Sequence, residues 1–140
     1  DIKIIASGKI ISGFHIARTI ALGADLVSSA RAMMMATGCI QALQCNTNKC
    51  PVGVATQNKA LMKGLDVEDK AKRVESFHKE TLISFSELIA AAGIEKSYQL
   101  ERQHINRRIS MLSVMKYNEI FPTTVEGSLL ETVNLEHRKN

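Results

Sequence analysis

The sequence predicts an α/β fold in which a small parallel β-sheet is followed by a mainly helical extension. Two short apolar segments, residues 2–6 and 25–29, flank a stretch with helical periodicity, an order typical of a βαβ unit. The right-handed crossover rule makes a parallel pair the default for two such strands. Farther along, apolar residues recur every three or four positions between residues 66 and 93, which predicts a long amphipathic helix.

The first elements have clear boundary signals. Residues 2–6 form an apolar, β-branched run that Ser7 and Gly8 close, as expected for a buried strand ending in a tight loop. Ser12 is a suitable N-cap for the first helix, and Gly23 is placed to end it. The second strand then begins without a long connection.

Beyond the second strand, residues 30–37 are predicted as a short helix, and residues 38–57 lose the periodic pattern. This irregular stretch contains all three cysteines, so we expect an ordered loop that is shaped by something other than the hydrophobic core. Asp66 caps the long helix and Gly93 ends it. The remaining predictions are two shorter helices and a frayed tail, at residues 98–108, 111–121 and 127–140.

Composition and charge exclude several classes of protein. The chain is 45% apolar and 23% charged, which is ordinary for a soluble globular protein. No run approaches the roughly 18 apolar residues of a membrane span, and no secretory signal is visible, so we predict no membrane segment here. The net charge of +4 comes from scattered basic residues with few aromatics, which argues against nucleic-acid binding.

Two features bear on the context of the chain. An odd number of cysteines, clustered within residues 39–50, argues against a disulfide framework and favours a reducing compartment, so we expect a cytoplasmic location. The sequence begins at Asp1, without Met and directly before an apolar run. We therefore expect it to be part of a longer chain.

The cysteines have the spacing Cys39-x5-Cys45-x4-Cys50. Thiolates suit iron–sulfur clusters, zinc or Cu(I), and three thiols in one irregular loop can converge on one small group. Zinc sites usually contain a paired knuckle and a fourth ligand, which this loop lacks, so a cluster with one open corner fits better. Buried structural thiols are the simpler alternative. The polar residues 46–49 argue against it, and their amides and hydroxyl could donate hydrogen bonds to cluster sulfurs.

The two predicted strand ends form a second candidate site. In barrels of parallel strands, phosphate commonly lies on the loops after the seventh and eighth strands. Gly8 would let the backbone approach an anion, and Lys9 or Arg31 would add positive charge. An ordinary tight turn beside a solvated arginine would have the same residues, but the nearby cysteine loop favours a phosphate site.

Residues 4–57, which include the two strand ends and the cysteine loop, resemble the end of the FMN-binding synthase domain of glutamate synthases. Residues 73–94 continue the resemblance more weakly. It implies that the chain is the C-terminal fragment of a (β/α)8 TIM barrel, with about two of the eight parallel strands. It also implies FMN and a [3Fe–4S] cluster as cofactors. The implied reaction is reduction of 2-iminoglutarate, formed from 2-oxoglutarate and glutamine-derived ammonia, to L-glutamate, with ferredoxin or an NADPH-linked reductase subunit as electron donor.

The resemblance also assigns residues, although it assigns no catalytic one. Cys39, Cys45 and Cys50 match the three cluster ligands. Many members have glycine where this chain has Lys9 and Ala30. The residues that match the loops holding the FMN phosphate are Ser7, Gly8 and Lys9 after the seventh strand, and Ser29, Ala30 and Arg31 after the eighth.

The resemblance divides the chain into the last two βα units (1–38), the cluster loop (39–57), a helical extension (58–126) and the tail (127–140). We expect little or no turnover from these 140 residues alone, because most flavin and substrate contacts would lie on the other six strands. Two other functions stay open. One is a non-catalytic helical interaction module that forms a homo-oligomer, and the other is a zinc-binding regulatory domain.

Overall fold

The computed structural model describes residues 2–128, and its first two strands pair as predicted. Strand β1 (Ile5–Ser7), helix α1 (Gly13–Ala21) and strand β2 (Leu26–Ser28) form a βαβ unit with parallel strands. The register pairs Ser7 with Ser28. Both strands are shorter than predicted, but their carboxyl ends lie side by side, so the loops that follow them are neighbours.

Asp25 joins the beginnings of the two strands. Its Oδ2 accepts a hydrogen bond from the backbone N–H of Ile4 at 2.9 Å, and its Oδ1 lies 3.5 Å from Nζ of Lys3. The backbone N–H groups of Asp25 and Leu26 in turn donate to the carbonyl oxygen of Ile4. The hydrogen bond from Ile4, aided by the Lys3 ammonium, holds the pKa of Asp25 below its usual 3.8.

Helix α1 begins and ends where the sequence predicts. Oγ of Ser12 accepts a hydrogen bond from the backbone N–H of His15 at 3.4 Å, which caps the helix. Gly23 follows the last turn with a φ of +114°, a conformation that glycine adopts readily and side chains disfavour. Helix α2 (Arg31–Ala36) follows β2 and confirms the predicted short helix.

The long helix is confirmed as well. Helix α4 (Val67–Ala91) has 25 residues, and Oδ1 of Asp66 accepts a hydrogen bond from the backbone N–H of Asp69 at 2.9 Å. Gly93 follows its last turn with a φ of +74°. A short helix before it, α3 (Lys59–Met62), has no counterpart among the sequence predictions.

Helices α1 and α4 pack closely because α1 carries a stripe of small residues. Gly13, Ala17 and Ala21 recur every fourth position, which places them on one face, and all three are buried. A Cβ atom on Gly13 would lie 2.5 Å from the backbone nitrogen of Phe85 and 2.9 Å from Oγ of Ser84. The approach of the two backbones therefore depends on the absence of a side chain at residue 13.

The same stripe leads into the hydrophobic core. Side chains of α4 pack against the edge of this core, although no residue of α4 is itself fully buried. Arg102 adds a polar link, because its guanidinium donates to the carbonyl oxygens of Phe121 at 2.7 Å and Leu22 at 3.2 Å. The buried core residues are Ala17, Ala21, Leu100, Ile105 and Tyr117.

The prediction of two shorter helices at residues 98–108 and 111–121 is wrong. The structure instead has short 3₁₀ turns, an antiparallel hairpin and a single helical turn. These are 3₁₀ turns at Ser97–Gln99 and Arg102–His104, strands β3 (Asn106–Arg108) and β4 (Val114–Lys116), and helix α5 (Tyr117–Ile120).

Local side-chain hydrogen bonds explain this difference. Oε1 of Gln99 accepts from the backbone N–H of Lys96 at 2.9 Å, and Nδ1 of His104 accepts from that of Glu101 at 3.0 Å. Such bonds satisfy backbone donors within one turn and compete with a continued helix. The periodicity of apolar residues over ten positions contains no information about these hydrogen bonds, so it predicted helices.

The predicted frayed tail, residues 127–140, lies almost entirely outside the described residues. Among residues 2–128, no helix is both long enough and apolar enough to cross a lipid bilayer.

Replacing Gly13 by alanine tests the contact between α1 and α4. We expect the protein to lose about 1–3 kcal/mol of unfolding free energy, because the new methyl group pushes α1 away from the α4 backbone. Helix propensity alone predicts the opposite sign, a gain of about 1 kcal/mol. Urea unfolding followed by far-ultraviolet circular dichroism measures the change, with Ser86→Ala on the exposed side of α4 as control. An unchanged or raised midpoint would contradict the close contact.

The carboxylate of Asp25 generates a prediction about acid stability. Because folding lowers its pKa, Asp25 contributes stability that is present above its unfolded pKa and is lost as pH falls through the lowered value. A carbon-detected NMR titration of the side chain should give a pKa below 3.8. Asp25→Asn should remove this contribution to the pH dependence of the unfolding free energy. A titration at or above the usual value would show that the Ile4 hydrogen bond is not made in solution.

Candidate cofactor site

The loops after β1 and β2 line one pocket at the carboxyl end of the parallel sheet. Lys9 and Arg31 give this pocket two cationic side chains, and its described lining contains no acidic one. The fold therefore brings together five of the six residues that were predicted to hold a phosphate. The described lining is Ser7, Gly8, Lys9, Ile10, Ser28, Ala30 and Arg31.

Ser29 is the predicted residue that does not line this pocket. Its hydroxyl donates a hydrogen bond of 2.6 Å to the carbonyl oxygen of Ile10, so it connects the two strand-end loops. Ser28, which belongs to the second strand end but was not among the six assigned residues, lines the pocket instead. Its place at the last position of β2, paired with Ser7, is the signal that could have identified it.

The backbone of the first loop is held in an unusual conformation. Gly8 has a φ of +113°, and Lys9 has a φ of +53°. A Cβ atom on Gly8 would meet nothing within 4 Å, so backbone conformation rather than space accounts for the glycine. Lys9 adopts the left-handed conformation at a cost of about 1–2 kcal/mol. Strain of this kind in a loop that lines a pocket is characteristic of ligand-binding sites.

A second pocket shares Arg31 with the first. Cys39 and Cys45 line it together with side chains of α2, and Arg31 contributes to the walls of both pockets. The remaining lining consists of Met34, Met35, Gln41 and Leu43. The structure therefore places the predicted phosphate site and two of the three predicted metal ligands next to each other.

Cys50 lies in a tight turn that directs backbone N–H groups at its sulfur. Hydrogen bonds from Ala55 and Val52, followed by weaker ones from Val54 and Gly53, lower the pKa of its thiol from the usual 9.0. Gly53 makes the turn possible, since its φ is +78° and a Cβ atom there would lie 2.6 Å from the carbonyl oxygen of Leu61. Cys50 is a buried residue, and the turn stabilises the thiolate form of its side chain.

The three thiols do not form a closed metal site in the described conformation. Cys50 does not line the pocket shared by Cys39 and Cys45, and among residues 2–128 no three His, Cys, Asp or Glu side chains are grouped to hold a metal ion. Sγ of Cys39 does accept a backbone hydrogen bond, from Gln41 at 3.4 Å. In donor chemistry the loop fits an iron–sulfur cluster, because soft thiolates and sulfur-directed N–H groups are what such clusters use.

The polar residues between the cysteines close the loop on itself. Oδ1 of Asn48 accepts from the backbone N–H of Gln57 at 2.5 Å, and the hydroxyl of Thr56 donates to the Asn48 carbonyl oxygen at 2.7 Å. The hydroxyl of Thr47 donates to the carbonyl oxygen of Gln44. The described hydrogen bonds to the cysteine sulfurs come from backbone N–H groups. That residues 46–49 donate hydrogen bonds to cluster sulfurs stays a prediction.

Comparison with known proteins places this chain in a family. Residues 1–95 match the model of the family described as the conserved region in glutamate synthase. The chain is 45% identical over 105 residues to the glutamate synthase large subunit-like protein of Bacillus subtilis, a match that covers 75% of this chain and 20% of that protein. No solved structure matches the chain.

Two further relatives carry the name of an electron donor. An archaeal NADPH glutamate synthase of Methanocaldococcus jannaschii is 44% identical over 94 residues, 67% of this chain and 18% of that protein. The chloroplastic ferredoxin-dependent glutamate synthase of Oryza sativa subsp. japonica is 44% identical over 54 residues, 39% of this chain and 3% of that protein. The chain thus spans about a fifth of the length of the first relatives that it matches, and it belongs to the glutamate synthase family.

Proposed function

We propose that this chain forms the FMN-phosphate site and the iron–sulfur site of a glutamate synthase. The observation that supports this most directly is the shared wall between the two pockets. Arg31 lines both the cationic pocket at the strand ends and the pocket that contains Cys39 and Cys45. A phosphate and a thiolate-bound cluster are both anionic, so a cationic residue that contributes to both pockets would be favourable for each.

The exposed face of the parallel sheet supports a place in a larger barrel. Ile5 and Leu26 are opposite each other in the sheet, and they are 67% and 58% exposed. A two-stranded sheet with apolar residues facing solvent is not stable on its own. We infer that β1 and β2 are the seventh and eighth strands of a (β/α)8 barrel, whose other strands would cover this face.

At the phosphate site the chain supplies charge and a shaped backbone. Lys9 and Arg31 would pair with the phosphate, and the hydroxyls of Ser7 and Ser28 are further donors. Ser29 acts indirectly, because its hydrogen bond to Ile10 fixes the distance between the two loops. When bound, FMN would supply hydride transfer, which no side chain can perform.

In the cysteine loop, the backbone already stabilises one thiolate, and the other two thiols would have to move towards it to bind a cluster. The Cys50 thiolate is favoured by the surrounding N–H groups before any metal binds, whereas Cys45 is exposed and Cys39 is half-buried. Bringing the three sulfurs together requires the loop to change shape. Cluster binding and ordering of residues 39–50 are therefore coupled, as is usual for sites whose ligands lie on a loop.

The reaction that we propose for the whole protein is reduction of 2-iminoglutarate to L-glutamate. In this reaction 2-oxoglutarate condenses with glutamine-derived ammonia, water leaves, and the C=N bond takes up two electrons and two protons. Ferredoxin or an NADPH-linked reductase subunit would supply the electrons, since relatives with both names match this chain. The residues described above contribute cofactor binding, and the groups that hold the substrate would lie elsewhere in the barrel.

Metal analysis tests the cysteine loop. Anaerobic treatment of the protein with iron and sulfide should give broad visible absorption and the iron-to-sulfide ratio of a [3Fe–4S] cluster. Cys45→Ser should abolish the absorption while far-ultraviolet circular dichroism of the helices stays unchanged, and Ala42→Ser, at an exposed position in the same loop, is the matched control. Binding of zinc, without visible absorption, would contradict the cluster and favour the zinc-binding alternative.

A comparison of flavins tests the phosphate site. Arg31→Gln should raise the Kd for FMN by about ten- to hundredfold, because one charge-assisted hydrogen bond to the phosphate is lost. The Kd for riboflavin, which has no phosphate, should not change. Quenching of flavin fluorescence measures both constants, and Lys79→Gln on exposed α4 surface is the charge-matched control. An equal effect on the two flavins would place Arg31 away from the phosphate.

A further inference from the structure

We propose that the β3–β4 hairpin, defined here as residues 105–117, binds an anionic lipid surface. The hairpin lies beyond residues 1–95, which match the family region, and its role does not depend on the proposed cofactor chemistry. Three observations lead to the proposal. They are the fixed base of the hairpin, the full exposure of its apolar tip, and the uniform charge of the strands behind that tip.

The base of the hairpin is anchored in the protein core. Ile105 precedes β3 and Tyr117 follows β4, and both are buried. The backbone N–H of Tyr117 donates to the carbonyl oxygen of Ile105 at 2.9 Å, which closes the base. The hairpin therefore projects from the core as a supported element and not as a free loop.

The tip of the hairpin is held by its own hydrogen bonds. The backbone N–H groups of Ile109 and Ser110 both donate to the carbonyl oxygen of Ser113, at 3.0 and 3.3 Å. Nη1 of Arg108 donates to the carbonyl oxygen of Met111 at 3.0 Å. Because the turn is ordered in this way, presenting its side chains to a partner costs little additional conformational entropy.

These bonds present an apolar tip to solvent. Met111 is 90% exposed and Leu112 is 100% exposed. Ile109 and Val114, on either side, are about half exposed. Single exposed apolar residues are common on protein surfaces, but a contiguous group at the end of a supported projection indicates a contact site.

The charge behind the tip identifies the chemistry of the partner. Between residues 102 and 118 the sequence contains no aspartate or glutamate. Arg107, Arg108 and Lys116 lie on the two strands of the hairpin and are exposed. Apolar side chains that enter the interface, with cations behind them at the headgroups, are the pattern by which a peripheral protein binds an anionic bilayer.

Other occupants fit this surface less well. The barrel strands that would cover Ile5 and Leu26 complete the β1–β2 sheet, and the hairpin forms a separate sheet. A second copy of the chain would bring the same three cations towards each other, which opposes association. An acidic protein would satisfy the charge, but it would also need a pocket for the protruding Met111 and Leu112. A fluid interface accepts a convex apolar tip without a matching cavity.

Vesicle flotation of the full protein tests the proposal. The protein should float with phosphatidylcholine vesicles that contain phosphatidylglycerol, and much less with phosphatidylcholine alone. Leu112→Ser should weaken binding about tenfold or more, because the buried leucine is lost from the interface. Arg107→Gln should weaken it about fivefold. The matched control for Leu112→Ser is Val125→Ser, which changes another exposed apolar residue outside the hairpin. The matched control for Arg107→Gln is Lys79→Gln.

Three results would overturn the proposal. The first is equal flotation of the protein and of Leu112→Ser, and the second is equal flotation with charged and neutral vesicles. The third comes from sedimentation without lipid, where a dimer that Leu112→Ser dissociates would assign the tip to self-association. Since Leu112 is fully exposed, circular dichroism of the variant should match that of the protein, and loss of binding then reports on the tip and not on folding.

Discussion

The close approach of α1 to α4 determines the geometry of the candidate site. Helix α1 follows the loop after β1, so its position constrains where that loop lies. Helix α2, which carries Arg31 and leads into the cysteine loop, also packs on α4. A single long helix therefore supports both strand-end loops and the beginning of the cysteine loop. The contact depends on small side chains, and above all on the missing Cβ of Gly13.

The family region and the C-terminal segment share one core. Ala17 and Ala21 belong to residues 1–95, whereas Leu100, Ile105 and Tyr117 lie beyond them, and these side chains pack together. Arg102 strengthens the connection through its hydrogen bond to the carbonyl oxygen at the end of α1. The C-terminal segment therefore completes the buried face of α1, so the extension is a structural part of the unit that holds the site.

Sequence reasoning succeeded where structure is encoded by neighbouring residues. Caps such as Ser12 and Asp66 and the apolar periodicity of α4 are local signals, and the structure confirms them. The grouping of the predicted phosphate-site residues also followed from the order of strands. The hairpin was not predictable, because side-chain hydrogen bonds such as that of His104 decide against a helix. The cysteine spacing predicted the loop, but the turn that surrounds Cys50 depends on Gly53 fitting against α3.

The position of Arg31 in the walls of both pockets has a thermodynamic consequence. Because one residue contributes to both linings, a rotamer change of Arg31 that accompanies binding in one pocket would also alter the other. If occupancy of one pocket changes the affinity of the other in this way, linkage requires that the effect be the same in both directions. The order in which the two pockets are filled would alter the path of assembly but not the stability of the completed site.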